Sequence, residues 1–267
     1  MYHSVSERAQ PRFRKFALAP ALFAEQMAYL AQHQYTTLTV SQYVSLQNSS
    51  AAFPGSVVVL TFDDGFADFY SEALPVLKEH NCSATLYVAT AFVGDTSRFL
   101  RRECETTRPM LTWDQLIEIA AAGIECGAHG LLHKQLDVLP GDLARAEIAR
   151  SKQMLEEKLS RPVVSFAYPY GYYQHSVKRM VQAAGFSSAC AVRYRMSSPA
   201  DDVFALPRLI VTADTSLERF VKLVDGRGPQ LHPWYEHVRA RAWRCIRLGL
   251  HMLRGGYGRP ASAVDTP

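Results

Sequence analysis

Val57-Val58-Val59-Leu60-Thr61-Phe62-Asp63-Asp64-Gly65 is the stretch that decides how this chain is read. A short apolar, β-branched run marks a buried strand, and two carboxylates stand where it stops. Asp-Gly after a strand is first of all a turn signal, but residues 67–80 read as a helix that Pro75 bends or restarts, so a hairpin fits poorly. Two adjacent carboxylates at a strand end also repel each other unless a cation is present. Later in the chain, Cys126-Gly127-Ala128-His129-Gly130-Leu131-Leu132-His133 spaces two imidazoles i, i+4, on one side of the segment if it is helical. One carboxylate and two imidazoles form an open coordination set for a divalent metal, leaving positions for water and substrate. The second aspartate is then a base able to take a proton from that water. Cys126 falls within an expected strand, away from its end, and reads as a reduced core cysteine rather than a further ligand.

Strand-like and helix-like runs alternate outward from this point. Residues 83–89, 124–128, 163–168, 187–192 and 206–211 read as strands. Helices are expected after a Thr112-Trp113-Asp114-Gln115 capping box and over residues 140–159, 177–184 and 216–224. Such alternation predicts an α/β fold with a parallel sheet, open or closed into a barrel. The polar clusters at Asp63-Asp64, His129 and Tyr168-Pro169-Tyr170-Gly171 each follow the C-terminal end of a strand, the rim where barrels of this class carry catalytic groups. The aromatic loop Phe166-Ala167-Tyr168-Pro169-Tyr170-Gly171, extended by Tyr172-Tyr173, suits stacking against sugar rings, or else packs as a loop corner.

Composition narrows the class. A chain of 267 residues, 48% hydrophobic and 20% charged, suits one globular domain with an appendage. A net charge of only +4 argues against a nucleic-acid partner. Five cysteines without a CxxC pair point to a reducing compartment, and neither a leader nor a membrane-spanning stretch is legible, so the expectation is a cytoplasmic protein. Met1-Tyr2-His3-Ser4-Val5 nevertheless resembles the end of a strand followed by a turn, which leaves room for an upstream export signal. A change of character sets the expected boundary between 1–225 and 226–267. Residues 227–259 carry seven arginines and one glutamate, with Trp234, Tyr235 and Trp243 interleaved. A basic amphipathic helix there either lies on an anionic membrane surface or docks on the barrel with its basic face in water.

Thr61-Phe62-Asp63-Asp64-Gly65, His129-Gly130-Leu131-Leu132-His133 and Phe166-Ala167-Tyr168-Pro169-Tyr170-Gly171 together resemble the first three motifs of the polysaccharide deacetylases, the NodB-homology enzymes of the fourth carbohydrate esterase family. The resemblance spans residues 1–225 and implies a distorted (β/α) barrel. It also implies a metal-dependent hydrolase that removes N-acetyl groups from hexosamine residues of a glycan. By this resemblance Asp63 is the catalytic base, Asp64, His129 and His133 hold a divalent metal, commonly zinc, and the Tyr170 N–H helps to stabilise the oxyanion, with Pro169 and Tyr168 beside it. Many members carry an arginine where this chain has Ala167, and Arg208 is the candidate to replace it in orienting the base. The family's late histidine motif is also missing. The poly-N-acetylglucosamine deacetylase branch resembles a permuted version in which an N-terminal Tyr-His carries the general acid, which Tyr2-His3 matches. Two alternatives stay open: an O-acetyl ester or another amide as substrate, and a barrel that binds glycan without turnover.

Overall fold

The run at 57–62 forms two short strands rather than one. The computed structural model describes residues 1–49, 52–228, 244–247 and 249. Within the unit Met1–Leu231 the chain forms β1 (Ser4–Val5), β2 (Ala17–Leu18), α1 (Pro20–Gln32), β3 (Thr36–Leu38), α2 (Val40–Asn48), β4 (Val57–Val59) and β5 (Thr61–Phe62). It continues through α3 (Leu74–Glu79), β6 (Thr85–Val88), α4 (Trp113–Ala121), β7 (Glu125–Ala128), α5 (Gly141–Leu159), β8 (Ser165–Ala167), α6 (His175–Ala183), β9 (Ser188–Cys190) and α7 (Leu217–Val224). β4 pairs with β3, whereas β5 pairs with β6, so the expected strand changes partner at Leu60.

Five parallel strands in the order β5-β6-β7-β8-β9 make the sheet, with helices filling the crossovers as the alternation requires. Two segments without regular strand structure carry its ladder onward. Beyond β9, Ala191 N–H donates to Leu206 O at 2.8 Å and Leu206 N–H to Ala189 O at 2.9 Å. On the β5 edge, Tyr2 N–H donates to Thr61 O at 2.8 Å and Asp63 N–H to Tyr2 O at 3.0 Å. The segments meet where Val211 N–H donates to Met1 O and Met1 N to Leu209 O, both at 2.9 Å. Residues 1–2 and 206–211 therefore close the curled sheet into the distorted barrel. Residues 206–211 were expected as a strand, but only Leu206 bridges β9, because Pro207 has no N–H and the segment then turns its bonds to Met1.

Alternate residues on these strands enter different cores. Phe62, Leu86, Val88, Ala128 and Phe166 belong to the large cluster shared with the helices, whereas Tyr87, Ala167, Cys190 and Leu206 pack with Val40 and Val44 of α2. Tyr87 crosses the interior to reach Ser165 Oγ at 2.6 Å. Gly127, its neighbour in register, leaves room for the ring, since a Cβ there would lie 2.5 Å from Tyr87 Cε1. Helix termini follow their sequence signals. Thr112 and Gln115 exchange both capping-box bonds at the start of α4, and Ser216 Oγ accepts from Arg219 N–H at the start of α7. Pro75 restarts the helix expected at 67–80, splitting it into a π-turn at Phe69–Ala73 and α3.

No helix among the described residues is long and apolar enough to cross a membrane. Of the second unit, His232–Pro267, residues 244–247 and 249 are described and are helical. The rest of the expected basic amphipathic segment lies outside the described residues.

Candidate active site

The turn after β5 is built so that two consecutive carboxylates face one rim of the barrel. Asp64 and Gly65 both take positive φ, 80° and 88°, a conformation that favours glycine and that aspartate tolerates better than most residues. Gly65 also runs close to β6, since a Cβ there would lie 3.2 Å from Val88 Cγ1. Both carboxylates are buried, at 3% exposure each.

His129 and His133 come to the same point from the end of β7, but not on a helix as their spacing suggested. The segment is a loop, in which Gly130 (φ 78°) and His133 (φ 53°) turn left-handed and fold the second imidazole back beside the first. The two rings lie 4.8 Å apart. His129 Nδ1 is 2.8 Å from Ala167 O, and since a carbonyl only accepts, that nitrogen carries the hydrogen. The lone pair of Nε2 therefore faces Asp64 Oδ1 at 3.5 Å and Asp63 Oδ2 at 3.8 Å. His133 Nε2 lies 3.1 Å from Asp64 Oδ1. One donor atom each from Asp64, His129 and His133 falls within 4.8 Å of the others. Burial pushes His129 down to about 4 despite the pull of the nearby aspartates, so at neutral pH it supplies no proton to separate its lone pair from the carboxylate oxygens. An imidazole lone pair on His129 that faces buried carboxylate oxygens fits a cation.

Asp63 is held differently. Arg208 Nη1 donates to Asp63 Oδ1 at 2.6 Å and Nη2 to Oδ2 at 2.8 Å, a buried two-bond clamp. The Arg208 fork is itself fixed by Nε to Ala191 O at 3.1 Å and Nη1 to Thr61 Oγ1 at 3.3 Å, with the guanidinium 5.5 Å from the centre of the Tyr87 ring. Burial alone would raise the Asp63 carboxyl, but Arg208 and His129 outweigh it and hold it well below the usual carboxylate range. Arg208 thus reaches Asp63 across the barrel, while Ala167 contributes only its carbonyl to His129.

His3 feels the charge of both carboxylates, because Tyr2 is paired with Phe62 and the next residue follows at the same end of β5. Burial lowers its imidazole while Asp64 and Asp63 pull it back upward. Its ring packs 4.8 Å from Phe16. Ser4 anchors this segment through a 2.6 Å bond from its Oγ to Asp68 Oδ2, and Arg108 Nη1 reaches the same oxygen at 3.0 Å.

The aromatic loop contributes unevenly. Tyr170 sits at φ 61°, is 41% exposed and lies 4.6 Å from the His133 ring. Phe99, which the sequence offered no reason to single out, also lies 4.6 Å from His133, ring to ring. Pro169 backs the loop, 3.5 Å from where a Cβ on Gly130 would stand. The Tyr168 side chain does not join the group: it is fully buried in the core, stacks on Tyr173 and donates to Phe204 O at 2.9 Å. Cys126 is likewise buried in β7, its thiol pushed up to about 12 by burial, as suits a core cysteine. A cavity of about 340 Å³ opens elsewhere, among Val40, Phe53, Met196, Leu206 and Leu223, and reaches the site only at the back of Arg208 and Thr61.

Residues 50–189 match the family described as polysaccharide deacetylase. YxkH of Bacillus subtilis, named for the same family, is 26% identical over 85% of this chain and 75% of its own length. A poly-beta-1,6-N-acetyl-D-glucosamine N-deacetylase of Staphylococcus epidermidis is 24% identical over 80% of this chain and 74% of its own. Among solved structures, the deacetylase PplD of Streptococcus pyogenes superposes with a TM-score of 0.73 at 23% identity, covering 84% of this chain and 96% of that one. IcaB from Ammonifex degensii gives 0.72 at 24% identity, covering 85% and 95%. With the family match covering more than half of its length, and the fold shared with solved deacetylases, this chain belongs to the polysaccharide deacetylase family.

Proposed function

We propose that the chain hydrolyses N-acetyl groups on hexosamine residues of a polysaccharide, with zinc as its metal and a poly-N-acetylglucosamine as its substrate class. The observation that carries this reading is the convergence of Asp64, His129 and His133 beside an Asp63 that Arg208 clamps. The name of the Staphylococcus epidermidis relative supports the substrate class.

Asp64, His129 and His133 would hold the metal, which when bound supplies Lewis acidity to the acetyl carbonyl and to the attacking water. Asp63 accepts the proton of that water. The clamp matters because it fixes both carboxylate oxygens and keeps the group ionised until the proton arrives. The Tyr170 N–H, on a loop set by positive φ at Tyr170 and Gly171, donates to the oxygen on which charge develops. His3 delivers a proton to the departing amine, so that one water is consumed and acetate and a free sugar amine are released. Tyr170 and Phe99, ring to ring with His133, form walls against which a sugar can pack.

Metal analysis combined with acetate release from N-acetylglucosamine oligomers tests the reading. The native protein should carry zinc and release acetate. Asp63→Asn should keep its zinc while acetate release falls about 10²- to 10⁴-fold. Native protein that is loaded with zinc yet releases acetate only from O-acetylated oligosaccharides would overturn the substrate assignment.

A further inference from the structure

On the buried face of α5, in line with Ala144, Ile148, Ser151, Leu155 and Leu159, stands a carboxylate, Glu147, only 6% exposed. An acid on the core side of an amphipathic helix needs partners. Here they are backbone N–H groups of the loop that carries His133. Leu132 N–H donates to Glu147 Oε2 at 2.7 Å, and the Leu131 N–H also bonds the carboxylate. The carboxylate lies 3.5 Å from where a Cβ on Gly130 would stand, so a side chain at 130 would crowd the contact.

The carbonyls of the same loop are engaged from its other side. Thr90 N–H donates to Gly130 O at 3.3 Å and Ala91 N–H to Leu131 O at 2.9 Å. The loop is thus held by donors on one flank and by an acceptor on the other. Between these supports it carries two left-handed residues, Gly130 and His133, and His133 pays the steric cost of a Cβ in that region. A non-glycine residue keeps such a conformation only where its surroundings impose it. Moreover, His133 Nδ1 is buried without a hydrogen-bond partner, so the ring's one polar contact is Nε2 with Asp64 Oδ1 at 3.1 Å, the contact that the loop backbone must deliver.

We propose that Glu147 is a positioning residue for the metal: by capping the 130–132 turn it holds His133 in the left-handed conformation that brings its imidazole to Asp64 and His129. This rests on the zinc reading above. It assigns a function to Glu147 through hydrogen-bond reach and acceptor geometry, and not through charge.

Two variants separate these properties. Glu147→Gln keeps the reach and a carbonyl acceptor while losing the charge. Glu147→Asp keeps the charge while its side chain is one methylene too short. Zinc affinity is measured by competition with a chelator, and the thermal stability of the metal-free protein is measured in parallel. Glu147→Asp should bind zinc about 10- to 100-fold more weakly than the native chain, in the range found when outer partners of metal ligands are removed, while the metal-free protein is destabilised by the unpaired buried groups yet still unfolds in a single cooperative transition. Glu147→Gln should stay close to native. Native affinity in Glu147→Asp would overturn the proposal, as would a loss in Glu147→Gln equal to that in Glu147→Asp, which would make charge the cause. A native protein that binds no zinc would overturn the metal reading itself, and is distinguishable because it appears before any substitution is made.

Discussion

Removing the Arg208 guanidinium should damage this protein in two measurable ways. In Arg208→Met the clamp at 2.6 and 2.8 Å is lost, and Asp63 becomes a carboxylate at 3% exposure without its principal countercharge. Breaking a buried pair by deleting one partner costs about 3–5 kcal/mol. For a domain of this size that corresponds to a fall in melting temperature of roughly 6–20 °C. The second effect falls on the proton acceptor. Burial raises the Asp63 carboxyl and Arg208 is the leading influence that lowers it, so in the variant only the nearby His129 and His3 still oppose burial. The acid limb of the pH profile of kcat/KM should move up by about one to three pH units, the usual influence of an adjacent opposite charge. At neutral pH kcat should fall about 10²-fold from the misplaced base, with KM little affected because Arg208 is buried behind Asp63. Zinc content and circular dichroism establish that the variant is folded and loaded. The double variant Asp63→Asn/Arg208→Met should recover stability relative to Arg208→Met, because it leaves no buried charge unpaired. A folded, zinc-loaded Arg208→Met with kcat within about threefold of native and an unmoved acid limb would refute the clamp as the means by which Asp63 is positioned.

His3→Gln should slow turnover by about 10²-fold or more while leaving zinc content unchanged, and native turnover would remove His3 from the reaction. The chelated protein should lose stability as pH falls. Burial lowers His129 from 6.5 to about 4, so between those values the unfolded chain binds the extra proton. This contribution is complete above about 6.5 and is lost on the way down to about 4, and His129→Gln should flatten that part of a urea-denaturation series against pH. Gly171→Ala puts a Cβ at φ 73°, 2.6 Å from Val192 Cβ and 2.8 Å from Val192 N, and should cost about 2–4 kcal/mol, read as a lower denaturation midpoint. Asp68→Asn weakens the anchor of Ser4 and Arg108 under the His3 segment and should lower kcat more than it raises KM. An unchanged kcat would show that this anchor does not serve His3.

Much of the architecture from Val57 onward is legible in the chain, because burial leaves a periodic trace. The apolar run before Asp63-Asp64, the capping box at Thr112 and the apolar spacing of α5 each report a local environment. The residues before Val57 were harder to place. β1 and β2 are two residues each, too short for alternation to register, and α1 begins at Pro20 without a side-chain cap. The split of 57–62 between two partners was likewise hidden, since a strand's composition records that it is buried and not against what. The i, i+4 spacing of His129 and His133 suggested one face of a helix, which the structure does not form there. The left-handed turns at Gly130 and His133 bring the rings together without any helix.

The donor types, their order and their places after strand ends are legible in the chain, because side-chain identity and local burial are properties of short segments. Which group meets which is settled by the way the barrel closes. Arg208 meets Asp63 across 145 positions because residues 206–211 and Met1-Tyr2 close the barrel next to β5. The same closure brings His3 within electrostatic reach of the carboxylates, and the crossover through α5 returns Glu147 to the loop of His133. Such partnerships follow from how a sheet closes on itself, a long-range condition that no local pattern of residues encodes.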